Sequence, residues 1–205
     1  MKLIDAYTKL RQIEQPVIQT QDAAIYLNIT VKHASKLLAR LHTAKRMIHI
    51  ARGLWAFHDI DPLIIPQYIT APFPSYISLQ TALFFHGMVS QIPQIIYAVS
   101  LARTRKYKLP TASISIHHID PAFFFGFEMN EKSGIFMATP EKALLDVFYL
   151  SPAKSYLFHS LPEIELPNGF KVTKAREMIK SINSLSRRTI VENRFNDFLE
   201  KKRAL

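Results

Sequence analysis

Leu3, Ala6, Tyr7, Leu10 and Ile13 recur at three- and four-residue intervals, the spacing that puts apolar side chains on one face of a helix. They predict a first helix over residues 3–13. It must close before Pro16, whose ring removes a backbone donor and crowds the turn before it. A second helix is expected from Thr20, read as its N-cap, with Asp22 near the positive end and Ala23, Ala24 and Leu27 facing inward. Asn28 tolerates the left-handed backbone that a tight turn needs. Thr30 then caps a third helix. In it Ala34, Leu37, Leu38 and Leu41 fall at i, i+3, i+4 and i+7, a stripe to be buried. The opposite face carries Lys32, His33, Lys36, Arg40 and Thr43, with Ser35 at the edge. Residues 47–51 and 54–58 alternate as two short strands around Arg52-Gly53, and Trp55 and Phe57 share one face. A helix pair joined by a tight turn and followed by a strand pair is the order of a winged helix-turn-helix, a module that lays one helix in the DNA major groove.

Downstream, Pro62, Pro66, Pro72 and Pro74 crowd residues 59–74, and that frequency predicts a stiff linker over 61–75 running along the surface. Ser78 is placed to cap a helix through His86, with Gly87 closing it. Residues 94–101, 112–117, 122–128 and 134–138 are rich in strand formers, and the run Phe123-Phe124-Phe125-Gly126-Phe127 reads as a strand buried on both faces. Thr139-Pro140-Glu141 starts another helix, with Ala143, Leu144, Val147 and Phe148 on one side and Asp146 on a polar position. Residues 173–202 read as two helices hinged near 183–186. The expected class is α+β: a winged helix-turn-helix over 1–60, a linker over 61–75, and a C-terminal mixed α/β domain over 76–205. That domain is expected to hold a small sheet edged by helices and a helical tail over 173–202.

Charge sharpens this picture. The net charge is +10, but it is uneven. Residues 1–58 hold nine Lys/Arg against three Asp/Glu, residues 59–150 sum to −1, and residues 151–205 to +5. A surplus of +6 around a helix-turn-helix points to a polyanion, which here means double-stranded DNA. An apolar content of 48% is enough for a packed core. The absence of cysteine excludes disulfides, cysteine-ligated zinc and a thiol nucleophile. The opening MKLIDAYTKL lacks a signal-peptide pattern, and no apolar run approaches the ~18 residues of a membrane span, so a cytoplasmic location with no membrane partner is expected.

The candidate DNA-binding residues are Thr30, Lys32, His33, Ser35, Lys36, Arg40, Thr43 and, at the strand-pair tip, Arg52. The lysines are suited to phosphates, whereas Arg40 or His33 can read a base edge. The plain alternative is a solvated helix face. Arg11, Lys45 and Arg46 are weaker phosphate candidates. Arg103, Arg105, Lys106 and Lys108 put four cations in six residues between two predicted strands, either a second DNA contact, a seat for an acidic partner or an exposed loop. Arg187-Arg188 and Lys201-Lys202-Arg203 read as solvated helix surface or as a further contact. His117 and His118 are adjacent, so on a strand they point to opposite faces and do not chelate one ion. No metal site, cofactor or catalytic set is expected: Asp120, Glu128 and Glu131 form no recognisable carboxylate group, and Gly-rich phosphate loops and nucleophile elbows are missing.

Two stretches carry a family likeness. Tyr76-Ile77-Ser78-Leu79-Gln80-Thr81-Ala82-Leu83, with His86-Gly87, Gln91-Ile92-Pro93 and Ile95-Ile96-Tyr97-Ala98-Val99 after it, resembles the AbiEi antitoxins of abortive-infection toxin–antitoxin systems. So does Ala138-Thr139-Pro140-Glu141-Lys142-Ala143-Leu144-Leu145-Asp146 with Tyr149-Leu150. The likeness covers about residues 20–150. It implies a repressor that binds promoter repeats of its own two-gene, phage-defence operon, and a C-terminal domain that neutralises a nucleotidyltransferase-like toxin, often without a stable complex. It also implies the DNA-facing role for Lys32, His33, Lys36 and Arg40. Two other readings stand beside it: a winged-helix regulator that senses a ligand or partner and has no toxin, and a nucleic-acid enzyme with a DNA-targeting arm. The operator, the toxin's chemistry and the oligomeric state are not written in the sequence, which has no heptad seam to fix a dimer.

Overall fold

The computed structural model describes residues 2–151 and 163–203. The chain begins with helix α1 (Leu3–Arg11), strand β1 (Val17–Gln19), helices α2 (Thr20–Leu27) and α3 (Val31–Thr43), and strands β2 (Met47–Ala51) and β3 (Leu54–Phe57). The three strands form an antiparallel sheet in the order β1-β3-β2. Local chemistry explains the α2–α3 turn. Asn28 takes a left-handed backbone at φ 53° and ψ 51°, and the Thr30 hydroxyl accepts the His33 backbone N–H at 3.3 Å. Thr20 does not cap α2. It is the first helical residue, and its hydroxyl instead accepts the Trp55 Nε1–H at 2.9 Å and donates to the Gly53 carbonyl at 3.3 Å.

The second half carries α4 (Ile65–Ile69), β4 (Ser75–Ile77), α5 (Leu79–Phe85), β5 (Ile95–Ser100), β6 (Arg105–Lys108), β7 (Ser113–His118), β8 (Phe127–Asn130), β9 (Ile135–Ala138), α6 (Pro140–Leu150), α7 (Val172–Lys180) and α8 (Leu185–Arg203). Its six strands form one mixed sheet, β6-β7-β5-β4-β9-β8, with β5 parallel to β7 and β4 parallel to β9. The molecule is α+β, with eight α-helices among the described residues. The tail resolves into two helices, α7 and α8, with the break at residues 181–184, two residues before the expected hinge at 183–186.

Strand alternation sorts the apolar residues into layers. Ile18, Trp55 and Phe57 face α1–α3, where Ala6, Leu10, Leu37, Leu38 and Leu41 are buried against them. Val17, Ile50 and Ala56 face the other way and pack with Ile77, Ala98, Ile114, Ile116 and Ile135 of the six-stranded sheet. The far side of that sheet, through Tyr76, Tyr97 and Val99, is covered by α5–α8. The order is helices, sheet, sheet, helices.

Three further sequence expectations, about whole segments, change. The proline-rich stretch is not a surface linker: a 3-10 turn (Pro62–Ile64) and α4 occupy it, Ile65 is buried in the layer between the sheets, and Pro66 and Thr70 are buried as well. Pro62 and Pro66 sit at helix starts, where a missing N–H costs nothing. The Phe123–Phe127 run is not a strand. Asp120 caps a 3-10 turn (Pro121–Phe123), β8 starts only at Phe127, and only Phe123 of these rings is fully buried. The basic segment 105–108 is an edge strand rather than a loop.

Because one apolar layer is shared by both sheets, unfolding should be a single event. Trp55, the chain's one tryptophan, reports on the first sheet, and far-ultraviolet circular dichroism reports on the whole. Their urea transitions should coincide, and Ile65→Ala should lower both together by about 2–5 kcal/mol, the usual cost of emptying a fully buried isoleucine site.

Candidate nucleic-acid interface

Helix α3 hides Ala34, Leu37, Leu38 and Leu41 and leaves Lys32, His33, Ser35, Lys36, Arg40 and Thr43 exposed. Among the described residues, none of Lys32, Lys36 and Arg40 has an acidic partner: the ion pairs lie elsewhere, at Arg11–Asp59, Lys142–Asp146 and Lys174–Glu141. Two hydroxyls of the expected set are already engaged. Thr30 caps α3, and Thr43 donates to the Ala39 carbonyl at 3.1 Å. Arg52 is exposed at the β2–β3 turn, where Gly53 takes φ +75°. His49, which the sequence did not single out, is exposed beside it and lies 4.5 Å, centroid to centroid, from the Trp55 ring.

The weaker candidates divide. Arg11 is committed within the protein. It donates to the Asp59 carboxylate and lies over the Phe57 ring at 4.7 Å, and this pairing holds Asp59 below the ordinary carboxylate range. Lys45 and Arg46 are exposed on the turn after α3, with the Arg46 guanidinium 5.9 Å from the Tyr7 ring centre. Arg103 precedes β6, and Arg105, Lys106 and Lys108 lie on it, all exposed. In the tail, Arg187 and Arg188 are half-buried and bond to the carbonyls of Tyr149 and Ile182, so they brace α8. Lys201 is exposed and Lys202 half-buried, while the Arg203 side chain lies outside the described residues.

A groove of about 1020 Å³ opens between the β2–β3 pair and strand β6. The starts of α2 and α3 reach it through Gln21, Val31 and Ser35; Arg52 and His49 line one side, Arg105 and Tyr107 the other. A different cavity of about 810 Å³ lies by α6 and β9, with Asp61, Glu128, Glu141, Lys171 and Lys174 among its lining residues. The first groove is cationic, the second mixed.

Glu141 stands in the first turn of α6, as the sequence suggests, but Asp146 is not what its spacing suggests. Asp146 does not sit on an exposed polar face: it is fully buried, paired with Lys142, and accepts from Ser78 Oγ at 2.7 Å and Tyr76 Oη at 3.0 Å. Ser78 therefore gives its hydroxyl to Asp146 instead of capping α5. The Lys142 ammonium lies 3.5 Å from the Phe123 ring centre. Burial pushes Lys142 below its ordinary pKa and Asp146 above, so each needs the other to stay charged. Glu141 accepts the Lys171 backbone N–H at 2.9 Å. His117 is buried and bonded to Ser115 at 2.9 Å, while His118 is exposed on the opposite face. Among the described residues no group of three or more His, Asp or Glu could hold a metal ion, and no helix is long and apolar enough to cross a membrane.

His117 gives the pH dependence a sign. Burial first, and the Lys106 charge second, depress it from 6.5 to about 4. Between those values the unfolded chain binds the proton and the folded one does not, so stability rises with pH across that window, by up to about 3 kcal/mol. Urea unfolding at pH 4.5 and 7 should show that rise, and His117→Gln should shrink it.

A scan against protein-family models finds none that matches the chain, and a search of curated proteins finds no match either, so the role of this surface is read from its own geometry.

Proposed function

We propose that the chain is a sequence-specific DNA-binding transcriptional repressor whose first six elements act as a winged helix-turn-helix. One observation carries this: α3 offers Lys32, His33, Lys36 and Arg40 to solvent on one face, with no carboxylate among the described residues neutralising its cations. A helix so placed enters the major groove. Its lysines replace counterions on phosphates, and Arg40 or His33 reaches a base edge, a contact worth ~1–3 kcal/mol of discrimination when well made. The β2–β3 turn, with Arg52 at its tip, holds the flanking backbone.

The antitoxin role in an AbiE-like operon is supported by the likeness of residues 76–99 and 138–150. Those two stretches meet through Tyr76, Ser78, Lys142 and Asp146. These side chains are buried, so they maintain the fold, and contact with a nucleotidyltransferase-like toxin falls to other, exposed residues. The second reading, a regulator that senses a small ligand and has no toxin, is favoured by the mixed-charge cavity beside α6.

A gel-shift titration on the DNA upstream of the gene tests the repressor. The chain should prefer that duplex over random sequence. The double change Lys36→Ala, Arg40→Ala should abolish the preference while leaving the circular dichroism spectrum intact, because both residues are exposed. Equal affinity for both duplexes in the unaltered protein would remove the repressor claim. Co-expression with the adjacent gene product tests the antitoxin half: survival that does not depend on this chain would sink it.

A further inference from the structure

The basic stretch Arg103–Lys108 was one unit in the sequence, but strand geometry splits it. Successive side chains of β6 point to opposite faces of the sheet. Arg105 and Tyr107 line the groove against the β2–β3 pair, and the Arg105 guanidinium lies 5.1 Å from the Tyr107 ring centre. Lys106 and Lys108 belong to the other face, where the Lys106 charge acts on His117. The two lysines fit an ordinary task, keeping an edge strand from pairing with another chain. Arg105 does not need to share it.

The groove has the chemistry of an anion seat. Among the described residues that line it there is no Asp or Glu. Arg52 and His49 stand on one wall and Arg105 on the other. Thr20 and Gln21 bring the start of α2 to the groove, where the Thr20 N–H is given to the Gly53 carbonyl at 2.8 Å and fixes the β2–β3 turn that carries Arg52. Val31 and Ser35 continue the groove onto the same α3 that carries the exposed cations. The apolar layer between the sheets fixes the two walls relative to each other.

We infer that a DNA phosphate backbone lies in this groove, held by Arg52 on one side and Arg105 on the other, so that the six-stranded sheet is part of the DNA-binding surface. This rests on the DNA-binding reading above and extends it: the base-reading helix and the backbone clamp belong to different sheets.

The test is the salt dependence of binding by the full chain to the upstream duplex. Each phosphate contact contributes about −0.9 to the slope of log K against log salt. Arg105→Ala should make the slope shallower by about that amount, and Arg105→Lys should restore it, with the preference over random duplex unchanged in both. Lys106→Ala with Lys108→Ala should leave the slope as in the unaltered protein. Hydroxyl-radical footprinting should lose protection at one flank of the site in Arg105→Ala alone. A slope and footprint unaffected by Arg105→Ala, while the unaltered chain still prefers its own duplex, overturns the groove assignment and leaves the base-reading helix standing. A slope reduced only by the Lys106/Lys108 pair overturns it too, placing the contact on the opposite face. Absence of preferential binding by the unaltered chain overturns the DNA-binding reading itself.

Discussion

Two sheets share one apolar layer, and everything else in the molecule is arranged around it. Val17, Ile50 and Ala56 from the first sheet meet Ile77, Ala98, Ile114, Ile116 and Ile135 from the second, with Ile65 of α4 buried among them. Face-to-face sheets interdigitate across a layer about 10 Å thick, and such packing tolerates little relative movement. The segment with the highest proline content is part of that layer. It acts as filling between the halves, not as a tether that lets them swing.

This constraint has a functional consequence. The three-stranded sheet is covered on both faces, by α1–α3 on one and by the second sheet on the other. The outer side of α3 and the rim that the β2–β3 turn shares with β6 are left exposed. Charge is distributed to match. On α3, Lys32, Lys36 and Arg40 have no acidic partner among the described residues, while the buried charges of Lys142 and Asp146 are matched to each other and to two hydroxyls. A buried pair of this kind adds little net stability over an apolar core, but loss of one partner strands the other. It ties β4 and the turn before α5 to α6, which explains why residues distant in sequence belong to one constellation.

Much of this was legible in the sequence, for reasons that can be stated residue by residue. The α3 stripe is regular enough to identify the buried and exposed sides without a structure, and Asn28 and Thr30 mark the turn by their own backbone chemistry. Strand β1 was hidden because three residues, Val17–Gln19, are too few to display alternation. Strand β6 was hidden because three of its four residues are cations, which resemble a loop, and an edge strand carries them readily since its outer backbone faces water. The Ser78 and Thr20 hydroxyls looked like caps because nothing local shows that Asp146 and Trp55 arrive from elsewhere in the chain. Asp146 itself looked amphipathic, since helical periodicity reports one apolar face and not a helix buried on every side. His49 carried no signal of its own: it is one polar residue in a short strand, and only the groove gives it a role.

Site-directed DNA cleavage reads out whether the exposed side of α3 lies against DNA. The chain has no cysteine, so Lys36→Cys introduces a single attachment point for an iron chelate that generates hydroxyl radicals. With the upstream duplex, strand scission should be confined to one or two short clusters of positions, with none from a chelate placed at Lys180→Cys on α7. Scission that is uniform along the duplex, or equal from the two positions, would contradict that placement of α3.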